Sequence, residues 1–412
     1  LNSQFLYFSY IMNAPQGSPL TGGLPSDGRV LEFRSFKKDS IGLYQINTNY
    51  INGDKTNNIS KSTITNITEA FVEVFKPSAK TNESVLINVN SVLMSEKLDS
   101  LSYVPSQYRE RIAVNYGKPN KSKTFVKNVF NNDTNTAFEV TFAYENQAPN
   151  PRAFRVSAVT DPRYLSVTAR HIFIKMPDDR FEPRVNDHRI GYFVNRSTDL
   201  TSYENFANFA LINKWRLIKK NPDAEMSEPE EPIVFWVENS TPEEIIPAVI
   251  AGIENWNIAF EEAGFINAIV AKIQPEDADW DAADYDYNVV RWSSEPDGGL
   301  LGIGPSVSNP LTGEIISADV VNKLLAVKIG YNYRKLYGYT EDNDPLMQYI
   351  TNLTLHEVGH VLGLRHNFRG SYLYSPKEIH NKEITGNTLM NSVMDYDPIN
   401  VAPEGTEQGI FF

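Results

Sequence analysis

The tightest constraint in this chain is a spacing. His356 and His360 stand four residues apart with Glu357 beside the first, and Gly363 and His366 follow in the run Thr354-Leu355-His356-Glu357-Val358-Gly359-His360-Val361-Leu362-Gly363-Leu364-Arg365-His366. Residues four apart on an α-helix lie one turn apart on one face, so the pair predicts a helix whose two imidazoles converge on a cation. A residue six positions past His360 would point to a different side of that helix, so the chain must turn before it can supply a third nitrogen. Gly363 is where it can turn, because glycine accepts the positive φ that ends a helix with a reversal. His356, His360 and His366 with one water then make a zinc site with an open position. Glu357 sits close enough to take a proton from a water activated by the metal without binding the metal itself, which makes it the natural general base.

A single histidine is most often a satisfied core or surface residue. Five fixed residues in this window should arise by accident roughly a few times per million chains of this composition, so the metal reading prevails. The sequence contains no cysteine, which removes thiolate ligands, disulfides and a cysteine nucleophile together. Any metal must therefore bind through nitrogen and oxygen. A net charge of -13 excludes a nucleic-acid partner, because phosphate binding needs clustered Lys and Arg. The apolar run Phe5 to Met12 is too short to span a bilayer and lacks a basic flank, so no transmembrane or targeting segment is expected in this chain. Because the chain begins at Leu1 and stops at Phe412, we expect a trimmed piece of something longer.

With 412 residues, 41% of them hydrophobic, the chain can form two or three packed domains. From about 28 to 195 its texture is that of strands: Phe138, Val140, Phe142 and Tyr144 alternate against Glu139, Thr141 and Ala143, and similar runs recur at 85–93, 153–159 and 163–175. Turn-forming clusters such as 131–133 and 149–151 separate them. Residues 1–218 read as a β-rich accessory domain. The polar, acidic, proline-broken stretch 219–232 reads as an exposed linker, and 233–412 as a catalytic domain in which strand and helix alternate. There Ile233–Val237 is a strand, and Thr241-Pro242-Glu243-Glu244 supplies a helix start that runs to Ala263 before Gly264. Strands are expected at 267–273, 287–292, 300–308 and 314–321, and Asp344-Pro345 opens the second long helix, which carries the histidines. The expected class is α+β.

His356-Glu357-x-x-His360-x-x-Gly363-x-x-His366 resembles the zinc signature of the metzincin clan of metallopeptidases. The clan's second mark is a methionine turn beneath the metal, and Ser392-Val393-Met394-Asp395-Tyr396 resembles it, with Met394 in the methionine position. Stretches such as Gly191-Tyr192-Phe193, Lys214-Trp215-Arg216 and Pro232-Ile233-Val234-Phe235-Trp236 add a likeness to large bacterial zinc-dependent metalloproteases of this clan whose upstream half has no known function. The resemblance implies a mixed twisted sheet with an edge strand, one catalytic Zn²⁺, a protein or peptide substrate and an extracytoplasmic location. It also implies that Tyr396 can stabilise the oxyanion, with ring packing as the alternative. An extended substrate would pair with an edge strand within 299–308, where glycines at 299, 302 and 304 leave room for a peptide backbone or mark a bulge. Gly302, Gly304 and Ser306 are the candidate substrate-binding residues. The run Glu276 to Tyr287 carries six acids and is the kind of loop that can hold Ca²⁺, though a solvated acidic loop is the plainer reading. The upstream half could cover the cleft through an acid such as Asp187. Oligomeric state is not legible.

Overall fold

The computed structural model describes residues 2–412 apart from 63–65, 82, 204–207, 296–300, 387 and 397. It is mixed α+β and strand-rich. It divides into two compact units: Leu1–Glu182 with Arg196–Ala210 and Val307–Thr312, and Pro183–Asn195 with Leu211–Ser306 and Gly313–Phe412.

The first unit is built on an antiparallel sheet. Its main strands are β1 (Gln4–Asn13), β2 (Arg29–Phe36), β3 (Ser40–Gln45), β4 (Ala70–Phe75), β5 (Phe125–Asn131), β6 (Asn135–Glu145) and β7 (Tyr164–Lys175), in the order β5-β6-β7-β1-β2-β3-β4. Alternation on β6 holds at its far end, where Val140, Phe142 and Tyr144 are buried and Thr141 and Ala143 are not. Glu139, expected on the wet face, is buried instead. Lys127 Nζ and Asn128 Nδ2 donate to its carboxylate at 2.7 and 2.9 Å, and the buried Arg170 guanidinium lies 3.6 Å away. Charge pairing thus overrides the alternation. The strand expected at 153–159 is absent. Pro151–Arg155 forms a 3₁₀ turn there, and the Asn150 side chain caps it by accepting from the Arg152 N–H. Only Val85–Ile87 of the run 85–93 is a strand; Asn90–Leu93 is a helical turn.

The second unit contains β8 (Ile233–Val237), α1 (Ile246–Glu254), α2 (Asn257–Glu262), β9 (Ile269–Ile273), β10 (Asn288–Ser293), β11 (Gly302–Ile303), β12 (Val320–Lys323), α3 (Leu324–Tyr337) and α4 (Pro345–Val361). Its sheet runs β9-β8-β10-β12-β11. The first four strands are parallel and β11 is an antiparallel edge. Residues 219–232 fall inside this unit and fold back on themselves: Lys220 N–H donates to the Glu228 carbonyl at 2.9 Å and Glu230 N–H to that of Ile218 at 2.7 Å. Their acid-rich composition describes a wet face rather than a free tether.

The helix expected from Thr241 to Ala263 is broken into a 3₁₀ turn at Glu243–Ile245, α1 and α2. Pro247 fixes the start of α1, because a proline is tolerated in a first turn, where its missing N–H is unneeded. Gly264, at φ +86°, ends the segment as expected. Among the described residues no helix is long and apolar enough to cross a membrane.

The helix that carries the histidines is fixed from both ends and along one side. Asp344 caps α4 by accepting from the Leu346 N–H at 2.9 Å, with Pro345 in the first turn. Leu346, Ile350, Val358 and Val361 form its buried stripe, packed with Phe235, Val237 and Ile253. Removing such side chains from water stabilises the unit by about 1.5–3 kcal/mol each. Gly252 lets α1 come close, since a Cβ there would stand 2.6 Å from Thr354 Cβ and 2.8 Å from the Thr351 carbonyl oxygen. Gly252→Ala should therefore cost about 2 kcal/mol through overpacking, read as a lower denaturant midpoint with unchanged slope. A midpoint equal to that of the parent would show that the two helices do not meet so tightly.

Candidate metal centre

The last turn of α4 places His356 and His360 on one face, and a two-bond reversal returns the chain. Gly363 N–H donates to the His360 carbonyl at 2.9 Å, and Leu364 N–H to that of Gly359 at 3.0 Å. These are the paired bonds of a Schellman cap, and Gly363 sits at the positive φ, +99°, that such a cap uses. A side chain there is also excluded by space: a Cβ would lie 2.1 Å from the Asn213 carbonyl oxygen.

Each helix histidine is oriented by its far nitrogen. His356 Nδ1–H donates to the Val393 carbonyl and His360 Nδ1–H to the Leu364 carbonyl, both at 2.8 Å. A carbonyl can only accept, so each Nδ1 carries the proton and each Nε2 presents a lone pair. His356 Nε2 is buried with no hydrogen-bond partner. His360 Nε2 and His366 Nε2 lie 3.1 Å apart, close to the ~3.3 Å separating two nitrogens of a tetrahedral zinc. Ligand atoms of all three lie within 4.8 Å of one another, and among the described residues no other such group occurs. Burial, with the neighbouring His360 and His366 adding to it, pushes His356 down to about 4, and burial lowers His360 as well. Both are thus held neutral, as ligation requires. An orphaned buried nitrogen, two fixed tautomers and an all-nitrogen donor set fit zinc.

Glu357 is buried beside the first ligand. Burial raises its carboxyl to about 7, and the backbone N–H of Gly304, bonded to it, opposes the rise. A Cβ on Gly302 would stand 2.9 Å from Glu357 Oε1, and one on Gly304 2.3 Å from the Glu357 carbonyl oxygen. These glycines let β11 and the chain after it lie against α4. Gly299 lies outside the described residues, and Ser306, two positions beyond Gly304, is half-buried.

Met394 is buried beneath α4. A Cβ on Gly359 would meet its Sδ at 2.2 Å and the Trp256 ring at 2.9 Å, so Gly359 makes the space that the methionine fills. Trp256, the residue before α2, donates its Nε1–H to the Leu355 carbonyl at 3.0 Å and braces α4 beside that methionine. Gly359 and Trp256 were not picked out from sequence; a glycine between two ligands on a helix is the signal that could have found the first. Tyr396 is largely exposed, its ring centroid 5.3 Å from His356 and 4.6 Å from His366. Burial, then the charge of Glu357, raises its phenol.

Asp187 and the acidic run 276–287 have the following surroundings. Asp187 is exposed and accepts from Arg189 Nε at 2.9 Å. In the acidic run, Trp280 stacks on Tyr287 at 3.8 Å, and Asp281 and Asp284 accept backbone N–H groups of their own loop.

Residues 339–411 match a family described as Met-zincin, and residues 23–220 match a domain of unknown function, DUF5117. No curated protein matches the chain. The Met-zincin match and the histidine triad together support a metzincin-like zinc metallopeptidase. His366→Ala should weaken zinc binding by more than about 100-fold, the upper end for loss of an outer-shell partner alone. Competition with a chromophoric chelator measures it, and an unchanged affinity would remove His366 from the ligand set.

Proposed function

We propose that the protein is a zinc endopeptidase in which His356, His360 and His366 hold one Zn²⁺ and Glu357 is the general base. The observation that carries this reading is the group of three imidazoles whose ligand atoms lie within 4.8 Å of one another, with the buried Glu357 next in sequence to the first. Bound zinc supplies Lewis acidity, which polarises the scissile carbonyl and makes a water easier to deprotonate. Glu357 takes the proton of that water and passes it to the leaving amine. A carboxyl poised near neutrality is suited to both transfers. Tyr396 stands over the histidine rings, where its hydroxyl can donate to the oxygen on which charge develops.

The substrate is an extended protein or peptide segment that adds to the edge of the sheet along β11, with Gly302, Gly304 and Ser306 beside it. Backbone pairing gives affinity that is nearly independent of side chains, which suits cleavage within varied sequences. The resemblance to bacterial metalloproteases of this clan supports an extracytoplasmic site of action. The upstream half, expected as a β-rich domain over 1–218, acts as an accessory or interaction region.

Glu357→Gln tests the reading. It should keep one zinc per chain by elemental analysis while cleavage of casein or a mixed peptide library falls by about 10²–10⁴-fold, the range for loss of a general base. Chelation should abolish parent activity and added zinc restore it. If parent and variant both hold zinc and neither cleaves, the metal is structural and the protein is a binding module.

A further inference from the structure

We infer that residues 191–193 act as a strap that positions the metal-ligand loop, a role that rests on the peptidase reading only for the identity of the ion. Phe193 N–H donates to the Gly363 carbonyl at 2.8 Å and Arg365 N–H to the Gly191 carbonyl at 2.9 Å, with Tyr192 opposite Leu364 in an antiparallel bridge. Those two bonds flank Leu364 on either side. Leu364 is also the residue whose carbonyl fixes the His360 tautomer, and His366 follows it by two positions. The strap therefore reaches two ligands at once: it sets the peptide whose oxygen orients His360 and the path by which His366 returns. The Phe193 ring centroid lies 5.9 Å from that of His360.

A second stretch holds the strap in turn. Asn213 N–H donates to the Phe193 carbonyl at 2.8 Å, and the Asn213 carbonyl packs on the Cα of Gly363. Trp215 Nε1–H donates to the Val361 carbonyl at 2.8 Å. The carbonyls that a helix leaves without partners at its C-terminus are otherwise met by water or by the turn itself. Here that of Val361, and the Gly363 carbonyl just past the helix, are met by residues about 150–170 positions upstream.

Gly191, Phe193, Asn213 and Trp215 all lie inside the stretch 23–220 that matches the domain of unknown function, yet all belong to the second compact unit. The metal centre is therefore built from both matched stretches. The segment 339–411 supplies every candidate ligand and the carbonyls that orient two of them, while the upstream strap holds the Leu364 peptide that bears one of those carbonyls. These upstream residues are positioning residues, since none is among the side chains that could ligate the ion.

The test uses the full chain. Phe193→Pro removes the N–H that holds the Gly363 carbonyl, and Phe193→Leu keeps it. We expect Phe193→Pro to weaken zinc binding about 10- to 100-fold, the range for loss of an outer-shell partner, and Phe193→Leu to stay close to the parent. Substituted cobalt(II) should show the tetrahedral visible bands in the parent and in Phe193→Leu, and weaker bands in Phe193→Pro. Parent-like affinity and spectrum in a folded Phe193→Pro protein would overturn the strap. Amide hydrogen exchange on the parent decides the matter even if that variant does not fold. The Phe193 and Arg365 N–H groups should be protected like those of α4, and exchange at the rate of an open loop would overturn the proposal. A parent protein that takes up no zinc would remove the peptidase reading alone, because the exchange result does not depend on metal.

Discussion

The left-handed turn at Gly363 is the constraint on which the metal centre depends. A helix can present two imidazoles four residues apart, but it cannot add a third from its own continuation, so the site exists only if the chain reverses within two residues of the helix end. That reversal requires φ near +99° at Gly363, and the backbone of Asn213 occupies the space a Cβ would need. Conformation and packing independently demand glycine at the same position. The hydrogen bonds of the turn then do double service: the carbonyl of His360 accepts from Gly363, and the imidazole of His360 donates to Leu364. The helix cap and the ligand orientation are one structure.

Burial divides the site into a dry floor and a wet rim, and the chemistry follows that division. His356 and Glu357 are 6% and 7% exposed, whereas Tyr396 and Phe368, which flank His366, are 65% and 59% exposed. Desolvation penalises charge, so on the floor it favours the neutral imidazole and the protonated carboxyl. The neutral imidazole is what a cation needs as a ligand. The weakened acidity of Glu357 is what a group needs if it must both gain and lose a proton near neutral pH. Met394 and Trp256 complete the floor from below, and Gly359 is small so that they can.

What the sequence revealed and what it hid divide along the distance in chain between interacting groups. The three histidines, Glu357 and the turn at Gly363 are legible because they occupy one short window whose spacing has a geometric meaning. The Asp344-Pro345 start of α4 and the stop at Gly264 are legible for the same reason. The break of the first helix at 255–256 is not legible, because Asn255 and Trp256 carry no turn signal and the helix resumes at Asn257. Glu139 was misassigned because alternation assumes that a charge faces water, and its partners Lys127, Asn128 and Arg170 come from neighbouring strands. Residues 219–232 have the composition of a tether, but their backbone hydrogen bonds, which composition does not encode, fold them into the second unit. The bonds from Phe193 and Trp215 to the end of α4 cross about 150–170 residues and leave no local trace.

The glycines of the edge strand bring these lines together. From sequence they suggested room for a peptide; in the fold their immediate neighbour is Glu357, whose side chain lies under Gly302 and whose backbone lies under Gly304. The two functions are compatible because a strand has two faces and an edge. Its inward face must be bare for α4 to approach, while its outer edge keeps the backbone groups to which a peptide would pair. One bonded N–H, that of Gly304, ties the carboxyl of Glu357 to this stretch of chain. On the proposed reading, the groups that hold the substrate and the group that deprotonates its attacker are therefore fixed to one backbone. Groups fixed to one backbone are held in register more closely than groups on separate loops, and such positioning contributes to rate.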